Sequence, residues 1–557
     1  MELSRRTTLK LLAATLLPTT LSRTLHAADT TTQPFERPLP PAPTPIPAPP
    51  NFGIAPGPFQ PNADSLSNWS CPDWYRDAKL GLWAHWGPQC QPEQGDWYAK
   101  GMYQYNSWQY KSHCEHYGHP SKFGFKDVIN TWKAENWDPD HLVSLYKKAG
   151  AKFFAAMANH HDNFDMFDST YQPWNSTRIG PKTDIIGRWE KAARNAGLRF
   201  ALTSHGDRSW SWMQESQGAD PSGPYAHVQY DGRISMAEGT GQWWEGFDPQ
   251  DLYAQYHTVG KYDWPQNGKP PIDPNFITKF YNRTIDLISK YNPDLLYFDD
   301  TILPLYPASD IGFKIAAFLY NTNAARNGGT CQALITGKLL QPEHRKFLLL
   351  DVERGVTAGA DPLPWQTDTC IGSWHYDRGI FDRHQYKSAT QVIQMLIDIV
   401  SKNGTLLLNI PLKGDGTPDA DELKVVDALA QWIAPNGDAI YATRPWSTYG
   451  EGPSTTASQP KGQFGGARDV RNYTPEDFRF TMKGETLYAF LMAWPDSGTA
   501  SIKSLAANSP HFPKPIARIE LLGAGPVQFT RTPDALQIQL PPEKPNPHAY
   551  ALKITPA

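Results

Sequence analysis

The sequence predicts an α/β chain: a (β/α) TIM-like barrel followed by a C-terminal β-sandwich. Two observations predict it. From about residue 65 to 440, near-continuous apolar strands alternate with helical patterns, as in a parallel sheet covered on both faces. Beyond about residue 445, short alternating strands are separated by Pro, Gly and Asn. The number of strand–helix units in a 557-residue chain favours a closed barrel over an open sheet.

The boundaries run as follows. Residues 1–28 read as an export signal. Arg5 and Arg6 stand in an S-R-R-x-x-L-K setting before an apolar stretch from Leu11 to about Leu21, which resembles a twin-arginine translocation signal. That stretch is short for a membrane span, and no later segment is long and apolar enough to be one. The expected location is periplasmic or secreted, with no membrane attachment after cleavage. Residues 29–62 read as a Pro-rich linker, extended and mobile. Residues 63–443 form the barrel and 444–557 the sandwich.

Within the barrel, LGLWA is the first strand. DPDHLVSLYKKAG starts at a capping Asp and ends at Gly150, and KFFAAMA is the next strand. Ile185–Ala196 reads as a helix closed by Gly197, before the strand LRFALTS. Helices from Phe276 to Lys290 and Phe313 to Arg326 precede the strands DLLYFD and KFLLLDV. Ser388 caps a helix to about Lys402, before the strand TLLLNI. In the C-terminal part, ETLYAFLMAW, ARIELLG, DALQIQL and AYALKI are strands, and Leu536, Ile538 and Leu540 alternate with polar residues.

Composition narrows the function. Lys and Arg number 52 against 56 Asp and Glu, so no basic excess points to nucleic acid. The 20 Trp, 25 Tyr and 24 Phe can fill large cores and stack on sugar faces. The five cysteines form no C-x-x-C pair; one or two disulfides can form, and at least one thiol stays free. No signal specifies oligomeric state.

Barrel chemistry sits at the C-terminal ends of strands. Four such ends carry polar residues: His85 and Trp86 after LGLWA, His160 and His161 after KFFAAMA, Asp299 and Asp300 after DLLYF, and Glu353 after KFLLLDV. Two carboxylates, several imidazoles and many aromatic rings suit glycoside hydrolysis. One carboxylate attacks the anomeric carbon, one carboxylic acid protonates the leaving oxygen, and imidazoles and a Trp grip the sugar. Strand alternation lets only one of Asp299 and Asp300 face the pocket.

The segments YRDAKLGLWAHWGP, ANHHDNFDMFDSTYQPWNS, GPKTDIIG, YNPDLLYFDD, PWQTDTCIGSWHY and KNGTLLLNIPLKGDG resemble glycoside hydrolase family 29, the α-L-fucosidases. The likeness covers about residues 65–445, and the C-terminal strands look like that family's accessory sandwich. It implies hydrolysis of terminal α-L-fucosyl residues from oligosaccharides or glycoconjugates, with retention through a fucosyl-enzyme, and no cofactor or metal.

The resemblance also implies roles. Asp299 matches the nucleophile, with Tyr297 where the family has Trp. His85 of HWG, with Trp86 beside it, and His160 and His161 match the residues that hold the sugar. Trp97 and Tyr98 stand in the family's E-W-Y stretch, with Asp96 in place of Glu. Trp374 resembles an aromatic lining the sugar's methyl group. The general acid is assigned to Glu353, because Gln366 stands where Glu often follows PW; Asp351 and Asp368 are its rivals. A fucose-like sugar such as L-galactose fits the same reading. The alternatives are a hydrolase holding Zn on His85, His160, His161 and Asp299, without an H-x-H or H-E-x-x-H motif, and a non-catalytic sugar-binding protein.

Overall fold

A computed structural model describes residues 37–257, 272–456 and 472–557. The export signal and the first part of the linker lie outside the described residues. Eight parallel strands close into a barrel: β1 (Leu80–Ala84), β2 (Phe153–Asn159), β3 (Arg199–Ser204), β4 (Leu295–Phe298), β5 (Leu334–Lys338), β6 (Leu349–Asp351), β7 (Trp365–Cys370) and β8 (Gly404–Asn409). The strands are buried almost throughout, as a sheet with two covered faces requires. Gly81 in β1 is required by packing, since a Cβ there would lie 2.2 Å from the Phe153 ring.

Six longer helices have readable boundaries. Asp138 caps α1 (Pro139–Lys148) by accepting from the His141 amide, and Asp184 does the same for α2 (Ile185–Asn195) through Gly187. Helices α3 (Pro274–Tyr291) and α4 (Ile311–Arg326) flank β4. Ser388 and Gln391 form a capping box at the start of α5 (Ala389–Ser401), as do Asp419 and Glu422 for α6 (Ala420–Asn436).

The sequence reading missed two strands. β5, LITGK, lies between α4 and the expected strand KFLLLDV, which is itself reduced to Leu349–Asp351. β7, WQTDTC, carries Gln366, Thr367, Asp368 and Thr369 and lacks an apolar run. Both escape hydrophobic patterning because they supply polar side chains to the barrel interior. The helix ring is also incomplete: a 3₁₀ turn (His344–Lys346) joins β5 to β6, and a loop joins β6 to β7.

The linker needs correction as well. From residue 37 it is extended, but it lies on the barrel instead of hanging free. The Arg37 amide donates to Gln229 Oε1 at 2.8 Å, Phe52 packs on Tyr171, and Asn321 bonds Ala55 and Phe59. Proline-rich chain loses little conformational entropy when it docks extended.

The C-terminal part packs a six-stranded antiparallel sheet on a three-stranded one. The first has the order β14 (Gly525–Pro526), β13 (Ile516–Leu521), β17 (Tyr550–Pro556), β11 (Thr486–Leu491), β10 (Phe478–Lys483), β9 (Arg444–Glu451); the second β12 (Thr499–Ile502), β16 (Leu536–Gln539), β15 (Phe529–Arg531). Leu487, Leu491, Ile538 and Leu552 share one core between them. The other face of the larger sheet joins the barrel core through Tyr488, Phe490 and Ala551. There Asp398 of α5 is buried against Arg479 of β10 at 2.6 Å and Lys402 at 2.9 Å. All five cysteines are unpaired thiols.

Candidate active site

The C-terminal ends of the strands surround a cavity of about 640 Å³. Its floor and walls include His85, His160, His161, His205, Asp299, Lys338, Glu353 and Trp374. Each is delivered by a different local device.

Asp299 follows the last residue of β4. Its Oδ1 accepts from Lys338 Nζ at 2.6 Å, and its Oδ2 is 3.3 Å from His161 Nε2 and 3.5 Å from His205 Nδ1. Burial alone would raise its carboxyl, but the Lys338 ammonium, the two imidazoles and Arg208 outweigh it and hold Asp299 well below the usual carboxylate range. The neighbouring Asp300 turns into the loop, where it accepts from the amides of Thr301 (2.7 Å) and Leu305 (3.2 Å).

Lys338, the last residue of β5, is buried and also bonds Glu353 Oε2. Glu353 lies two residues past β6. Burial pushes its carboxyl up to about 7, against the pull of Lys338 and with the repulsion of Asp368 and Asp299. Two carboxyls in one cavity are thus driven apart, one kept ionised and the other poised near neutrality.

The rival acids are held by other partners. Asp351 accepts from Gln366 Nε2 at 2.8 Å, and Asp368 accepts from Tyr297 at 2.9 Å. Burial raises both carboxyls, with added repulsion from Asp368 at Asp351 and from Asp299 at Asp368. Gln366 also accepts from Tyr75, deep in the barrel, and does not line the cavity. Its amide therefore does not stand at the position of an acid.

The histidines form one buried group. Their ring centroids lie 5.0 Å apart for His85 and His160, 4.3 Å for His160 and His161, and 4.7 Å for His85 and His375. Burial, then neighbouring imidazoles, hold His85 and His160 well below the usual range, so they are neutral at pH 7. Backbone clamps set them: Asn409 accepts from the His85 amide at 2.8 Å and donates to the Trp374 carbonyl at 2.8 Å. Asn159 accepts from the His205 and Gly206 amides at 3.1 and 3.0 Å. Among the described residues, both ring nitrogens of His85 and of His375 are buried without a hydrogen-bond partner.

Two triplets, His85–His160–His375 and His160–His161–His205, are close enough to hold a metal ion. His160 belongs to both. Its Nδ1 faces the Gln89 amide nitrogen at 2.9 Å, and Gln89 is oriented by Ala99 and Asp162. Accepting that bond uses the Nδ1 lone pair and leaves the proton on Nε2. This tautomer has no lone pair to offer a metal and presents an N–H to the cavity.

Of the sequence candidates, His85, Trp97, His160, His161, Tyr297, Asp299, Glu353 and Trp374 line the cavity. Trp86 and Tyr98 do not. Trp86 packs between Trp132 and Trp137 and donates to the Lys413 carbonyl at 2.8 Å. Tyr98 is buried against His113 at 2.6 Å. Each follows a residue that faces the site, His85 and Trp97, and consecutive side chains diverge. Tyr297 acts on the cavity through Asp368, as a donor.

Sequence reasoning missed His205, Lys338, His375 and Arg208. His205 directly follows the recognised strand LRFALTS, so the strand-end rule reaches it. Lys338 was hidden with β5.

A closed parallel barrel with an ionised carboxylate and a second, near-neutral carboxyl in one imidazole-lined cavity is the architecture of a glycoside hydrolase. Comparison with known proteins specifies which. The α-L-fucosidase family matches residues 51–438, and the α-L-fucosidase C-terminal domain matches residues 471–555. Rat tissue α-L-fucosidase is 24% identical over 529 residues, covering 90% of this chain and 94% of the rat protein. Human plasma α-L-fucosidase is 25% identical over 459 residues, covering 79% and 80%. The Thermotoga maritima α-fucosidase in complex with fucose superposes with a TM-score of 0.64 at 22% identity, covering 89% of this chain and all of that one. The chain belongs to the α-L-fucosidase family and is a fucosyl-hydrolysing glycosidase.

Proposed function

We propose that this enzyme releases terminal α-L-fucose with retention of configuration, using Asp299 as nucleophile and Glu353 as general acid and base. One observation carries the reading: a single ammonium, Lys338 Nζ, touches both carboxylates. Two hydrogen bonds through one nitrogen hold the nearest oxygens no more than about 5 Å apart, the separation of retaining rather than inverting glycosidases. The charge states agree, with Asp299 ionised for attack and Glu353 able to carry a proton near neutral pH.

His85, His160 and His375 present buried ring nitrogens suited to sugar hydroxyls, and Trp374 an apolar face suited to the sugar's carbon side. Trp97, half-exposed at the mouth, suits contact with the sugar and the group it leaves. The substrate class is a fucosylated oligosaccharide or glycoconjugate. The twin-arginine pattern at Arg5 and Arg6 supports export, with the enzyme acting in the periplasm or outside the cell.

Proton NMR of fucose released from an aryl α-L-fucoside tests the mechanism. The α-anomer should appear first and mutarotate to the β-anomer. Initial β-fucose would overturn retention.

A further inference from the structure

In a retaining reaction the two carboxyls exchange one negative charge. At first Asp299 is a carboxylate and Glu353 carries a proton. In glycosylation an Asp299 oxygen bonds to the anomeric carbon, the bond to the leaving oxygen breaks, and that oxygen takes the Glu353 proton. Asp299 is now a neutral ester and Glu353 a carboxylate. In deglycosylation water gives its proton to Glu353 while its oxygen bonds to the anomeric carbon. The ester bond breaks, and its electrons return to Asp299. The pair carries one negative charge at both stages, on a different residue each time.

Lys338 sits where it can serve both stages. It is the last residue of β5, it is buried, and its ammonium touches Asp299 at 2.6 Å and also Glu353. Other groups face the pair from each side: His161, His205 and Arg208 toward Asp299, and Asp351, Asp368 and Tyr297 from β6, β7 and β4. Lys338 is bonded to both carboxylates. Moving a buried charge without its counterion is costly, and a cation already in contact with both positions removes that cost.

We propose that Lys338 is a positioning residue that follows this charge: shared while Asp299 is a free carboxylate, it passes wholly to Glu353 when Asp299 is esterified, converting Glu353 from acid to base. The inference rests on the retaining reading above. It concerns Lys338 alone, which the sequence motifs do not single out.

The test compares Glu353 at the two stages. The alkaline midpoint of kcat/KM for a fucoside with a poor leaving group reports it in the free enzyme. The pH midpoint for reactivation of enzyme trapped with an aryl 2-deoxy-2-fluoro-α-L-fucoside reports it in the intermediate. In the wild type the second midpoint should lie about one pH unit or more below the first, the effect of an opposite charge at close range. Lys338→Arg should preserve the gap. Lys338→Met should narrow it, because the reactivation midpoint rises further than the other. Lys338→Gln is the second neutral variant, and thermal melting identifies which variants are folded. An unchanged gap in a folded neutral variant overturns the proposal. Failure of mass spectrometry to find the label on Asp299 in the wild type instead removes the retaining reading beneath it.

Discussion

His161 turns Nε2 toward Asp299 Oδ2 at 3.3 Å while its Nδ1 lies 2.9 Å from the His205 carbonyl. A carbonyl only accepts, so Nδ1 must carry a proton, and Nε2 can donate to Asp299 only as an imidazolium. Burial is the larger influence and holds the ring below the usual imidazole range against the pull of the Asp299 carboxylate, so the donating form grows as the pH falls. The ring is therefore tied to the charge of Asp299.

His161→Phe removes this donor. A hydrogen bond to a charged group contributes about 1.5–3 kcal/mol, so kcat/KM for an aryl α-L-fucoside should fall by up to about ten- to a hundredfold on the acid side, where the ring is protonated, and by less above it. Losing a group that favours the carboxylate raises the Asp299 pKa, so the acid limb of the pH profile should move to higher pH. A fall in rate with an unmoved limb would place His161 outside this role.

The Glu353 carboxyl, pushed up to about 7, predicts the other limb. The acid must be protonated to help a leaving group. Turnover of fucosides with poor leaving groups should therefore decline above about pH 7, and an activated aryl fucoside should decline less. Glu353→Ala should spare the activated substrate and be rescued by azide. Rescue of an Asp368→Ala variant instead would move the acid there. Asp299→Asn should lower turnover by about three orders of magnitude or more with the melting temperature preserved.

Trp97 and Trp86 offer a paired contrast. Trp97 is 52% exposed at the cavity mouth, whereas Trp86 is buried. Trp97→Ala should raise KM and leave thermal stability unchanged. Trp86→Ala opens a cavity among Trp132 and Trp137 and should cost about 3–5 kcal/mol of folding free energy. Melting curves and steady-state kinetics on both variants distinguish the two behaviours.

The barrel–sandwich junction gives a stability prediction. Arg479→Met removes the buried ion pair between Arg479 and Asp398 and leaves the Asp398 carboxylate buried beside Lys402. Denaturant unfolding should show a loss of about 3 kcal/mol.

Chelation tests the imidazole cluster. With the His160 lone pair taken by Gln89, activity should survive prolonged dialysis against a strong chelator. Lost activity restored by zinc would reverse the tautomer argument.

The sequence by itself determined the strands, helix caps and strand ends that hydrophobic period and capping chemistry announce, and through them Asp299, Glu353, His85, His160 and His161. These are local signals: an apolar run, a capping Asp or Ser, a polar residue where a strand stops. Only the tertiary structure decided the rest. β5 and β7 face a polar interior, so they carry no apolar run, and Lys338 was concealed with β5. Trp86 and Tyr98 adjoin site residues in sequence yet leave the site, because the chain turns between one side chain and the next. Most of all, the bridge from Asp299 through Lys338 to Glu353 joins three strand ends, and such a juxtaposition exists only once the barrel has closed.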